Sequence, residues 1–97
     1  MSPKTEILTR MREHSEDLKA YKVKRVGLFG SFSRSRQSSG SDIDILVEFN
    51  RGGKTFDNYM DLKFYLERIF GRKVDLVIKD ALKARIKGRI LSEVKYA

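Results

Sequence analysis

The sequence points to an α+β fold, a small mixed β-sheet with helices packed on one face, in the order α-β-β-α-β-α. Three features lead there. Apolar residues recur at helical spacing in three stretches. Strict two-residue alternation marks a strand after residue 41. Gly- and Ser-containing turns separate these segments. The 97 residues, 40% hydrophobic and 35% charged with one Pro and seven Gly, suit a single domain spanning 1–97. Two units of half that size would need disulfides or a metal to hold them together.

Taken in order, Ile7, Leu8, Met11, Leu18 and Tyr21 define a first helix over about 4–20. Val23 to Phe29 reads as a strand that ends at Gly30. Ser31 to Ser41 holds six Ser and reads as a loop, with room for a short helical turn. Ile43, Ile45, Val47 and Phe49 then form the apolar face of a second strand. Residues 50–53 are a turn, and Thr55 caps a helix over about 56–69 with Asp57 in its first turn. Leu62, Leu66, Ile69 and Phe70 are its buried stripe, and Gly71 ends it. Val74 to Ile78 is a third strand. Leu82, Ile86, Ile90, Leu91 and Val94 mark a last helix, leaving one sheet face partly open.

Composition removes several function classes. Without cysteine there is no disulfide framework, thiol nucleophile or cysteine-type zinc site. His14 is the single histidine, so a two-histidine mechanism is excluded. No apolar run approaches the ~20 residues of a membrane span, and the polar start does not resemble a signal peptide. The expectation is a soluble cytoplasmic protein. The net charge of +8 is spread along the chain: +3 over 1–25, +2 over 26–79 and +3 over 80–97. Such a surface suits nucleotides, nucleic acid or an acidic protein without choosing among them.

Asp42 and Asp44 sit two apart on the second strand, so both side chains leave the same face while Ile43 and Ile45 enter the core. Two adjacent carboxylates repel, and a divalent cation with oxygen preference, such as Mg²⁺, relieves the repulsion. Alone, such a pair most often only decorates a strand end. Asp75 changes the balance, because it interrupts an apolar strand between Val74 and Leu76. If the third strand lies beside the second, three carboxylates can hold two metals ~3.5–4 Å apart, the arrangement used for in-line phosphoryl or nucleotidyl displacement. A salt bridge from Asp75 to Lys73 is the competing reading.

Gly30-Ser31 ends the first strand. The missing Cβ lets backbone approach a ligand, and a helical turn opened by Ser31 would aim N–H groups at an anion. Arg34 and Arg36 follow as candidate phosphate partners, with a solvated side chain the favoured reading for Arg36. Gly53-Lys54-Thr55 imitates part of a phosphate-binding loop, but Glu48 stands where the first Gly is required, so it reads as turn plus cap. His14 has no partner that would make it a base.

Gly30-Ser31, ten residues, then Asp42-x-Asp44 form a Gly-Ser-x10-Asp-x-Asp pattern that occurs by chance in roughly one chain of this length in a thousand. The stretches Gly27 to Arg34 and Ser41 to Ile45 resemble the minimal nucleotidyltransferase branch of the DNA polymerase beta-like superfamily. Arg72 to Val77 resembles that branch's third-carboxylate strand, and Ala81 to Val94 its C-terminal helix, so nearly the whole chain is covered. The resemblance implies the polymerase-beta-like nucleotidyltransferase fold. It further implies that Asp42, Asp44 and Asp75 are the metal-ligating catalytic residues and that Gly30, Ser31 and Arg34 bind the nucleotide. Asp75 would also help activate the attacking hydroxyl. Two departures stand in the family's Gly-Ser-x-Ala-Arg-Gly run: Ser33 replaces Ala and Ser35 replaces the second Gly.

The minimal branch pairs with HEPN proteins as antitoxin to a HEPN ribonuclease toxin. The resemblance therefore implies Mg²⁺-dependent transfer of AMP from ATP to a tyrosine hydroxyl of such a toxin, in a hetero-oligomer with it. An antitoxin that neutralises by binding alone is the alternative reading. A basic nucleic-acid-binding module ranks last, because no aromatic residues interleave a basic stripe.

Overall fold

The computed structural model describes residues 2–97. Helix α1 (Pro3–Glu13) starts where the Ser2 hydroxyl accepts the Thr5 N–H, with Pro3 in its first turn. The helical stretch expected over 4–20 is interrupted at His14, whose backbone leaves helical geometry before α2 (Ser15–Ala20) resumes. The His14 ring hydrogen-bonds the Arg10 carbonyl at 2.8 Å and meets the Tyr65 ring edge-on, so this histidine is a packing residue. After β1 (Val23–Phe29) the chain makes a single helical turn, α3 (Gly30–Ser33). Strand β2 (Ile43–Phe49) follows the Ser-rich loop.

Helix α4 (Phe56–Phe70) is capped by Thr55, whose hydroxyl accepts the Asn58 N–H, and ends at Gly71 in the left-handed region with φ +61°. It carries the chain from β2 to β3 (Val74–Ile78), a crossover that lets these two strands pair in parallel. A 3-10 turn (Lys79–Ala81) leads to α5 (Ala84–Glu93) and to a two-residue strand, β4 (Lys95–Tyr96). The sheet order is β3-β2-β1-β4, with β1 antiparallel to both β2 and β4.

The two-residue alternation sorts the sheet into two faces. Ile43, Ile45, Val47, Val26, Leu28, Val74 and Leu76 pack with Ile7 and Met11 of α1, Leu18 of α2 and Leu62 and Leu66 of α4 in the main core. The opposite face is not left as bare as the sequence suggests. Phe29 and Leu46, with partly buried Val77, pack against Leu82, Ile90, Leu91 and Val94. The α+β class and the mixed sheet hold, but α5 lies on the second face, not with the other helices. Its apolar stripe has the same spacing whichever face it covers, so helical periodicity carries no information on that choice. Asp44 and Asp75 share strand parity with Leu46 and Val77, and so belong to this second face. No helix among the described residues is long and apolar enough to cross a membrane.

Candidate active site

Strand register assembles the site. Phe29, the last residue of β1, pairs with Asp44 of β2, and Asp44 pairs in turn with Asp75 of β3. The two carboxylates are thus neighbours across a parallel pair, with Gly30-Ser31 one step beyond the strand that flanks Asp44 on its other side. The ten residues between Ser31 and Asp42 let the chain leave the end of β1, turn, and return antiparallel at that register. Arg72 fixes the returning loop by donating to the Ser41 carbonyl at 2.8 Å and the Ser39 carbonyl at 3.2 Å. The Ile43 N–H donates to the Lys73 carbonyl at 3.0 Å, which pins the start of β2 to β3.

Gly30 is buried with φ +73°, and a Cβ there would fall on the Asp44 carboxylate. The chain can turn this sharply and this close to the acid only without a side chain. The Arg34 N–H donates to the Gly30 carbonyl at 3.1 Å and the Arg36 N–H to the Ser31 carbonyl at 2.8 Å, closing the α3 turn. Ser31, half-buried, is the second residue of this turn.

The Asp44 carboxyl is pushed up to about 6, first by burial and then by the charges of Asp75 and Asp42; a hydrogen bond with Asp75 adds to the rise, and the Arg34 charge opposes it. Asp44 and Asp75 are therefore brought together as the sequence suggested. Asp42, exposed one residue before β2, acts on Asp44 through its charge. Among the described residues no three acids or histidines already close around a point as they would around an ion. The donor chemistry nonetheless fits a hard dication. All donors are carboxylate oxygens, and the like-charge repulsion at Asp44 is the cost a bound cation would remove. Asp42 is the member that would have to draw in.

Arg34 does not stand free. Its guanidinium pairs with Glu93 at 3.0 Å, a contact that no motif on the sequence announced. The one available signal was that Glu93 is the only acid after residue 80. Arg36 is exposed, in keeping with the solvated reading. Lys54 of the Gly53-Lys54-Thr55 turn pairs with Asp80 at 2.9 Å.

The two departures in the loop also acquire physical meaning. The Ser33 hydroxyl is buried and donates to the Glu93 carbonyl at 2.9 Å. Ser35 sits at φ +56°, a region glycine enters freely and serine does not. Ser35→Gly is expected to raise stability by about 0.5–1 kcal/mol, the left-handed strain relieved less the greater freedom glycine gains on unfolding. Urea midpoints at constant slope measure this, and a lower midpoint would contradict it.

A family model described as nucleotidyltransferase domain matches residues 8–97. A Methanocaldococcus jannaschii chain, described as a candidate protein adenylyltransferase, is 45% identical over 84 residues, covering 84% of each chain. The protein adenylyltransferase MntA of Thermococcus cleftensis is 37% identical over 92 residues, covering 94% of this chain and 92% of its own. A solved structure described as a candidate minimal nucleotidyltransferase superposes with a TM-score of 0.82 at 30% identity, covering 98% of this chain and 95% of its own. The fold also matches a Shewanella oneidensis complex of a tri-AMPylated HEPN toxin with an MNT antitoxin. There the TM-score is 0.67 at 20% identity, covering 96% of this chain and 70% of the matched one.

Proposed function

We propose that this chain, which belongs to the nucleotidyltransferase domain family, acts across residues 1–97 as one minimal nucleotidyltransferase and moves AMP from ATP to a tyrosine hydroxyl of a HEPN toxin. The observation that carries the reading is the pairing of Asp44 with Asp75 beside the Gly30 turn. Similarity to adenylyltransferases over more than four-fifths of the chain supports the reaction class. The toxin as partner rests on the sequence resemblance. The basic surface at net charge +8 is compatible with an acidic partner.

In this mechanism the side-chain-free Gly30 admits the triphosphate close to the chain, and the Ser31 N–H and hydroxyl and Arg34 hold it. The acceptor oxygen attacks the α-phosphorus, the bond from that phosphorus to the bridging oxygen of the β-phosphate breaks, and pyrophosphate leaves. Asp75 takes the hydroxyl proton as general base. Mg²⁺ held by Asp42, Asp44 and Asp75 would offset phosphate charge and acidify the attacking hydroxyl. The face carrying Asp44 and Asp75 is where acceptor and nucleotide meet.

Co-expression with the toxin tests the assignment. The wild-type chain should protect cells, and the double variant Asp42→Asn/Asp44→Asn should still form the complex but lose protection. Full protection by that variant would instead establish neutralisation by binding alone.

A further inference from the structure

The structure assigns Glu93 a positioning role in nucleotide binding: it ties the last helix to the loop that would hold the phosphates. This rests on the nucleotidyltransferase reading above and adds a residue to it.

Residue 93 makes anchors to three residues of that loop. One carboxylate oxygen, Oε1, accepts the Gly30 N–H at 3.2 Å. The same carboxylate accepts from Arg34 Nη1 at 3.2 Å through Oε1 and at 3.0 Å through Oε2. The backbone carbonyl of Glu93 accepts the Ser33 hydroxyl at 2.9 Å. Gly30, Ser33 and Arg34 span the whole α3 turn, so its first residue, its last residue and its following cation are all held from one side. The anchors cross 59 to 63 residues of sequence, so they are tertiary ties and not local turn bonds.

Glu93 is itself held firmly. It is the last residue of α5, and β4 begins two residues later by pairing Lys95 with Leu28 and Tyr96 with Gly27. A Cβ on Gly27 would meet Val94 Cγ2 at 2.6 Å and the Lys95 carbonyl at 3.1 Å, so the end of α5 is seated against β1 as closely as a glycine allows. The Glu93 side chain is 20% exposed, which strengthens its charge-assisted bond to Arg34 over a fully solvated pair. The consequence is a loop fixed in place before any ligand arrives. Arg34, exposed on one side, keeps N–H groups free for a phosphate while one is fastened. Preorganisation of this kind lowers the cost of binding and of misplacement.

Calorimetric titration with ATP and Mg²⁺, paired with hydrogen exchange at the Gly30 amide, tests the assignment. Glu93→Ala is expected to weaken ATP binding about tenfold or more and to speed Gly30 amide exchange. Glu93→Gln keeps a carbonyl acceptor for both donors and should recover most of the affinity, to within about threefold of wild type. Affinity equal to or tighter than wild type in both variants would overturn the assignment, because the carboxylate would then be idle or competing with phosphate. Unchanged Gly30 exchange in Glu93→Ala would overturn it as well. Failure of the wild-type chain to bind ATP would instead count against the proposed reaction, and the exchange measurement would still decide whether Glu93 holds the loop.

Discussion

Gly30→Ala is expected to lower both stability and activity, and by more than alanine at any other glycine of this chain. The alanine Cβ would fall on the Asp44 carboxylate, and φ +73° is itself unfavourable for an L side chain. The left-handed conformation costs about 1–2 kcal/mol and overpacking about 1–3 kcal/mol more. The sum is expected to lower Tm by at least about 10 °C in a domain of this length. Displacing the acid or the loop by even an ångström is expected to reduce transfer about a hundredfold. Gly40→Ala is the matched control, since nothing lies within 4 Å of a Cβ there. Equal Tm and equal rate in the two alanine variants would refute the packing argument.

Asp44→Asn should have opposite effects on stability and on function. The folded-state Asp44 carboxyl is raised to about 6 from 3.8. Its protonated form therefore favours folding, a contribution fully present below about pH 3.8 and lost as pH rises through about 6. Above that range the ionised acid, crowded by Asp75 and Asp42, weighs against the folded state. The side chain is partly solvated, so the undiscounted shift overstates the energy, and about 1–2 kcal/mol is the expected penalty. Asparagine removes the charge, so the variant should melt about 5–10 °C higher than wild type at pH 7.5 without metal. The gap should close by pH 4. Mg²⁺ should raise the wild-type Tm and leave the variant nearly unchanged, while transfer is lost. A variant less stable than wild type at pH 7.5 would contradict the electrostatic account.

The candidate acids were legible because their positions violate the pattern around them. Asp75 breaks an apolar strand, and Asp44 lies on, and Asp42 just before, a strand whose other parity faces the core. Gly30 was legible from its place at a strand end before a Ser-rich stretch. What stayed hidden depends on contacts distant in sequence. Nothing local marks His14 as a break, because neither Pro nor Gly stands there and the apolar spacing continues past it. Val94 continues the helical period of α5 yet adopts an extended backbone, because β4 must turn to pair with β1. The placement of α5 on the second face, and with it the reach of Glu93 to Gly30 and Arg34, follows from that turn.

In the proposed reaction Asp44 and Asp75 sit where a nucleotide's α-phosphorus is attacked by a hydroxyl of a bound protein. Incubating the chain and a HEPN toxin with ATP labelled at either the α- or the γ-phosphate tests it most directly. Label from the α-position should pass to the toxin only with Mg²⁺ present and should vanish with Asp75→Asn. Transfer of the γ-label, or α-label transfer that persists in that variant, would contradict it.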